Sequence, residues 1–366
     1  MRALRYHGNR DIRLEDVPEP ECKPGWIKLK NGFTGICGTD LHEYTTGPSW
    51  VPTTPHNLTG ATMPCTIGHE FSGTIVEVGE GPSNFKVGQK VAVEPCISDG
   101  TCEECKEGFP VMCGNLAVVG FSGWDGGGGM AEYVCLPPKN IHIVPDSMSL
   151  EVAALVEPLT VPWRAIKASG FKAGQSALVL GAGPIGLMTI LCLQAFGAGK
   201  ILVSDPAKGR LELAQSLGAE HVLDPTRDDV GLISKGICDG RGPHVVFECA
   251  GVQSSLNTAF AAVRKRGTVL GLALWESKAT VDPNEIVLGQ IKYVGILPYV
   301  PGDFQEVINA IAAGEIHRPE RLISAKIPVE HVVSRGFELL LNDKSNAVKV
   351  LVEPLSNSSS VGNKQI

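Results

Sequence analysis

The sequence predicts an α/β protein of two domains, one mainly β and one built on a doubly wound parallel sheet. Three observations predict it. At 366 residues the chain is longer than a single compact core sustains. Its first part, to about Pro158, is rich in glycine and proline and carries short β-type runs such as Phe71 to Val78 and Lys90 to Val93, the mark of an irregular, mostly β domain. From there to about Pro298, apolar runs (Ala177 to Leu180, Ile201 to Val203, Val245 to Phe247, Thr268 to Leu272) alternate with helix-length segments such as Pro184 to Phe196 and Ser254 to Arg264. Such alternation implies parallel strands covered by helices.

After Pro298 come one more amphipathic stretch, Phe304 to Ala313, and a final strand-like run, Val348 to Val352. The expected organisation is therefore a first domain over 1–157, a parallel-sheet domain over 158–297, and a return over 298–354 that folds back on the first domain. The last residues, 355–366, are polar and aperiodic and are expected to form a disordered tail.

Composition narrows the function. With 43% hydrophobic and 19% charged residues the chain is globular. Its net charge of −7, with both signs interspersed, gives no footprint for nucleic acid. No window approaches the roughly 18 consecutive apolar residues of a membrane span, and Met1 to Gly8 lacks the apolar core of a signal peptide, so a cytoplasmic protein without a membrane partner is expected. Eleven cysteines, an odd number with no secretory signal, argue against a disulfide framework and leave metal ligation or burial to account for them.

The chemistry-bearing motif of the second domain is Gly181-Ala182-Gly183-Pro184-Ile185-Gly186, which follows an apolar strand and opens a helix. In that context the first glycine permits a tight turn, the second lets backbone approach a pyrophosphate, and the third lets helix and strand pack closely, with the helix N-terminus facing the anion. This is the Rossmann arrangement. Asp205 ends the next strand, where a carboxylate receives the adenosine ribose hydroxyls and repels a 2′-phosphate, which favours NAD. Lys208 and Arg210 follow closely, and Arg210 joins the candidate cofactor-binding residues; the bland alternative is that Asp205 only turns the chain before Pro206.

Two constellations suit metals. Cys37 lies in Gly35-Ile36-Cys37-Gly38-Thr39-Asp40-Leu41-His42, and His69-Glu70 in Gly68-His69-Glu70-Phe71. Singly each has a structural reading; together a thiolate, an imidazole and a carboxylate make a ligand set for a catalytic zinc with one open position. The second constellation is Cys102-x-x-Cys105 followed by Cys113, with Asp99 or Cys96 to complete a tetrahedron.

These segments and the glycine turn resemble the zinc-containing medium-chain alcohol and polyol dehydrogenases over about Met1 to Pro354. The resemblance implies a GroES-like catalytic domain beside the Rossmann domain, a homodimer or homotetramer, NAD, and one catalytic plus one structural Zn2+. It places Cys37 and His69 on the catalytic zinc, with Glu70 or Glu157 as third ligand. In Val156-Glu157-Pro158-Leu159, Glu157 stands where the simple alcohol dehydrogenases have cysteine, as in the polyol and butanediol dehydrogenases. The structural lobe departs from the family's cysteine at Asp99, and in some polyol dehydrogenases that lobe holds no metal. Thr39 and His42 match the family's proton relay, a role compatible with Thr39 capping a helix that begins near Asp40. The Thr45 to Thr66 segment resembles an insertion of the 2,3-butanediol dehydrogenase branch and is expected to wall the substrate site, the bland alternative being a surface or subunit-contact loop. The implied reaction is hydride transfer between a secondary alcohol and NAD, with butanediol and acetoin as the pair and sorbitol or xylitol as rival substrates. Zinc-free enone reductases and a non-catalytic cofactor-binding protein are the other classes weighed; the ligand set argues against both.

Overall fold

A computed structural model describes residues 1–343 and 347–354. The chain divides into two compact units, Met1–Glu157 with the segment from Ile323 onward, and Pro158–Leu322. The first boundary falls after Glu157. The second lies beyond the expected 297, and the reason is the amphipathic helix Asp303–Ala312: Lys167 on the helix Val156–Ser169 hydrogen-bonds Asp303 at 2.7 Å and Glu306 at 2.6 Å, and Trp163 donates to Glu306 at 2.8 Å. That apolar and ionic face commits 298–322 to the parallel-sheet unit, so the return begins at Ile323. The tail expected at 355–366 lies outside the described residues.

The first unit is built on a seven-stranded sheet. Its strand order is Ile141–Ile143, Lys90–Val93, Glu70–Val78, Ile27–Gly35, Lys349–Glu353 and Ile323–Pro328, with Tyr133–Leu136 also pairing the Ile27–Gly35 strand. Two registers on the central strand position the site. Gly35 pairs with Glu70 on one side, and Leu351 pairs with Gly35 on the other. Residues two positions from a pairing point to the same face. Lys349 is thereby brought from the far end of the sequence to the side chain of Glu70.

The second unit is a six-stranded, all-parallel sheet. Its spatial order is His221–Leu223, Lys200–Ser204, Ser176–Leu180, Val245–Glu248, Thr268–Gly271 and Lys292–Gly295, which is the order 3-2-1-4-5-6 of a doubly wound nucleotide-binding fold. The four inner strands read as near-continuous apolar runs because helices cover both faces. The glycine turn begins at the end of the third of these, next to the point where the order reverses. No helix among the described residues is long and apolar enough to cross a membrane.

Candidate functional site

Cys37 leaves the Ile27–Gly35 strand and caps the helix Gly38–Thr46. The helix starts two residues before the expected Asp40, and Cys37 rather than Thr39 is the cap. Asp40, third in the helix, explains this: its carboxylate accepts the Cys37 N–H at 2.8 Å and so satisfies a donor the helix leaves open. Thr39 sits inside the first turn, where its Oγ1 accepts from the Cys37 thiol at 3.7 Å. His42, half-buried, lies three residues on and therefore on the same helix face.

His69 precedes the Glu70–Val78 strand and is buried. Its Nδ1 stands 3.4 Å from Oδ1 of Asp40. That is within ion-pair reach but outside hydrogen-bond geometry, and both atoms are buried without a hydrogen-bond partner among the described residues. Burial pushes the imidazole pKa down, yet Asp40 and Cys37 beside it outweigh burial and hold it well above the ordinary histidine value. A site that attracts a proton this strongly attracts any cation, and a metal ion would replace the proton. The ring also packs against Phe121, centroids 5.0 Å apart, and Phe121 packs on Trp50 at 6.4 Å.

The ligand atoms of Cys37, His69 and Glu70 lie within 4.8 Å of one another. Glu70 does not stand alone: Lys349 Nζ reaches its two oxygens at 2.6 and 3.0 Å and also donates to the Ile36 carbonyl at 3.2 Å. Both side chains are only 2% exposed. Burial pushes the Lys349 ammonium down, but Glu70 first, then Cys37 and Glu157, raise it, so it stays charged. Glu157, on the first turn of the helix Val156–Ser169, is 8% exposed and outside the three-residue cluster, but near enough to act on Lys349. Gly35 is required here for a steric reason: a Cβ would sit 2.3 Å from Glu70 Oε2.

The Thr45 to Thr66 segment is tied down by one buried acid. Glu43, 1% exposed, accepts the backbone N–H groups of Ser49, Trp50 and Val51 at 2.9 to 3.1 Å. Thr59 adds a bond to the Ser122 carbonyl at 2.7 Å, beside Phe121. The segment is thus anchored to the aromatic group that faces His69.

In the lobe, the ligand atoms of Asp99, Cys102, Cys105 and Cys113 lie within 4.8 Å of one another, a group that includes Asp99 and not Cys96. Cys96 belongs to the short strand Cys96–Ile97, which pairs with Ala117–Val118. Backbone N–H groups of Thr101 and Cys102 and the Asn115 amide donate to Asp99, holding its carboxyl well below the usual range. The Cys113 sulfur accepts from the N–H groups of Asp99 at 3.5 Å and Asn115 at 3.4 Å.

In the second unit, Gly181 has φ +95°, a conformation that favours glycine, and a Cβ on Gly186 would sit 1.8 Å from the Gly181 carbonyl. Pro184 opens the helix Pro184–Ala195, Ile185 follows it, and a Cβ on Gly183 would meet only the Arg210 guanidinium, 4.0 Å away. Asp205 is buried and shared between two backbone donors, Ala182 N–H and Ala207 N–H, both at 2.8 Å. It both turns the chain and braces the glycine turn. Arg210 stands 3.8 Å from it.

The N-terminal part of the chain, residues 23–146, matches the model of the alcohol dehydrogenase GroES-like domain, and residues 184–313 match that of the zinc-binding dehydrogenases. The chain belongs to the zinc-binding alcohol dehydrogenase family. It is 38% identical to the (R,R)-butanediol dehydrogenase of Bacillus subtilis over 97% of this chain and 100% of that one. The crystal structure of 2R,3R-butanediol dehydrogenase from that organism aligns with a TM-score of 0.90, covering 97% of this chain and 99% of the other. A probable (R)-acetoin-forming diacetyl reductase of Saccharomyces cerevisiae is 38% identical over 97% of this chain and 90% of its own length. The Bacillus subtilis sorbitol dehydrogenase is more distant, at 32% identity with 97% of each chain covered.

Sequence reasoning missed Lys349, Asp40, Phe121 and Trp50. Two left a signal: a lone lysine in the apolar run Val348 to Val352, and an acid three residues after a helix cap. Replacing Lys349 with Met should leave Glu70 buried and uncompensated. The metal-free protein should lose about 3–5 kcal/mol in urea unfolding. In a Glu70→Gln background the same change should cost far less, and equal losses in both backgrounds would show that the pair is not coupled.

Proposed function

We propose that this protein is a zinc-dependent, NAD-linked dehydrogenase of secondary alcohols that interconverts a vicinal diol and its hydroxyketone, with 2,3-butanediol and acetoin as the preferred pair. The observation that carries it is the convergence of the ligand atoms of Cys37, His69 and Glu70, in a chain whose more similar relatives are named for butanediol and acetoin. The segment anchored by Glu43 and the Trp50–Phe121 pair supports a walled substrate pocket on this side of the cluster.

Thiolate, imidazole and carboxylate suit zinc, and Asp40 orients the imidazole from behind as carboxylates do in zinc sites. Cys37 and His69 would hold the metal with Glu157 as the third ligand: Lys349 neutralises Glu70, although Glu70 keeps lone pairs and stands in the cluster, which makes it the competing ligand. Zinc bound there supplies Lewis acidity, lowering the proton affinity of an alcohol oxygen as it lowers the pKa of water from about 15.7 to about 7. Thr39, hydrogen-bonded beside Cys37, would accept the alcohol proton while releasing its own hydroxyl proton, which would pass by way of the cofactor ribose to His42 on the same helix face. Phe121 and Trp50 keep water from the reacting carbon. Asp99, Cys102, Cys105 and Cys113 would hold a second, structural zinc, supported by the N–H groups already donating to the Cys113 sulfur.

NAD at the glycine turn supplies the hydride acceptor. Asp205 favours it over NADP, since a buried carboxylate repels a 2′-phosphate, and its remaining lone pairs can still accept ribose hydroxyls. Assembly of copies is supported by the edge strand Lys292–Gly295, around which Val287, Leu288, Tyr293 and Leu297 are exposed.

Absorbance at the NADH band should report turnover with butanediol stereoisomers above sorbitol, xylitol or threonine, and with NAD well above NADP. A chelator should abolish it; chelator-resistant turnover or equal use of both cofactors would refute the corresponding assignment. Metal analysis should find two zinc ions per chain, with Glu157→Gln losing the catalytic ion and Glu70→Gln retaining most of it; the reverse order hands the ligand role to Glu70. Sedimentation should give a dimer or tetramer that Tyr293→Lys dissociates, and a monomeric wild type at micromolar concentration would remove the edge-strand proposal.

A further inference from the structure

We propose that the Pro158–Leu322 unit carries a second anion site, shaped for a small phosphate-bearing ligand, at the end of its sheet opposite the glycine turn. The site is a cavity of about 150 Å³ lined by Ser176, Lys200, Arg241, His244 and Arg264, among others. Ser176 and Lys200 are the first residues of their strands, and His244 immediately precedes the strand Val245–Glu248. The glycine turn leaves from the other end of the Ser176–Leu180 strand, roughly 15 Å away at the rise of an extended chain.

Four basic side chains converge there, in a chain where acids outnumber Lys and Arg by 39 to 32. Yet none of Lys200, Arg241, His244 and Arg264 forms an ion pair with a carboxylate among the described residues. The single acid of the lining, Asp239, is exposed. Like charges repel, so an uncompensated cluster of this kind is stabilised by an anion from outside. Burial, then Arg264 and Arg241, push the His244 pKa below the ordinary value, which reports the positive field of the cavity.

The lining is held in place by a few hydrogen bonds that leave donors over. The Ser176 N–H donates to His244 Nδ1 at 3.2 Å, so a neutral ring carries its hydrogen on Nε2. Lys200 spends one of its three hydrogens on the Ile237 carbonyl at 2.8 Å. Backbone bonds from His244 to Ser176 at 3.0 Å and from Arg264 to Pro243 at 3.1 Å frame the cavity. Gly242, with φ +99°, lets the Arg241 turn press against the helix Gln253–Ala262, where a Cβ would meet the Ala262 carbonyl at 2.1 Å. Guanidinium groups match the oxygens of phosphate two at a time. The volume is below the roughly 300 Å³ at which pockets for whole drug-sized ligands begin, so only the phosphate group enters and the rest of the ligand stays outside.

The test is proton–carbon NMR of the histidine-labelled, zinc-loaded full chain, titrated with inorganic phosphate at an ionic strength fixed by chloride. A saturable shift should appear in one imidazole, absent in His244→Asn, with the His244 pKa rising as phosphate binds. It should persist under saturating NAD, which separates this cavity from the glycine turn. Arg241→Gln, an exposed turn position, should weaken binding severalfold, and the Arg241→Gln/Arg264→Gln pair at least tenfold, with folding verified by unchanged melting. A phosphomonoester that binds more tightly than inorganic phosphate identifies an ester as the ligand; equal affinity identifies the free ion. A shift that chloride reproduces, that NAD abolishes, or that survives in Arg241→Gln unchanged overturns the site.

Discussion

Buried charge must sum to nearly zero, and the first unit is organised around that constraint. Cys37, Glu70, Asp40 and Glu157 bring acidic or thiol groups into a region from which water is largely excluded. Ionised groups there cost several kcal/mol each unless compensated. Lys349 compensates one of them directly, and the arrangement of the rest draws in cations: the raised His69 pKa is the signature of this demand in the protein without metal. Sheet register, helix cap and glycine choice all serve the same end. Gly35 has no side chain because the oxygen of Glu70 occupies that space, and Asp40 caps the helix with one oxygen while facing the imidazole with the other.

Much of this was legible in the sequence, and the boundary of what was legible is physical. Fold class, both metal constellations and the glycine turn rest on local spacing, which the residues carry directly. The inner strands of the parallel sheet were visible because burial on both faces makes them apolar throughout. What local spacing does not carry is register. The pairing of Gly35 with Glu70 and of Leu351 with Gly35 brings Lys349 to a residue 279 positions away, and no periodicity in either segment encodes that meeting. The domain boundary at Leu322 was missed for a similar reason. The helix Asp303–Ala312 announces an amphipathic face, but only the partners Trp163 and Lys167 decide which unit it covers.

The two units solve their electrostatics in contrasting ways. In the first, acids accumulate and a lysine with metal-seeking ligands answers them. In the second, Asp205 is satisfied by backbone N–H groups of the glycine turn and of the following loop, so one carboxylate fixes the geometry on which a dinucleotide would rest. At the far end of the same sheet basic groups gather with one exposed acid, Asp239, in the lining. A parallel sheet thus separates two anion-seeking regions along a single strand.

The return of the chain at Ile323 has a consequence for biosynthesis. Cys37, His69 and Glu70 emerge from the ribosome early, while the lysine that neutralises Glu70 follows it 279 positions later. Until then the nascent first domain lacks two sheet strands, since Ile323–Pro328 joins the sheet only through Lys349–Glu353, and it holds an unbalanced carboxylate at its centre. The inserted nucleotide-binding unit, whose sheet is complete by Gly295, is free to form before the domain that encloses it in sequence. The order of translation and the order of folding are therefore inverted for the N-terminal residues: first made, they are the last to be locked.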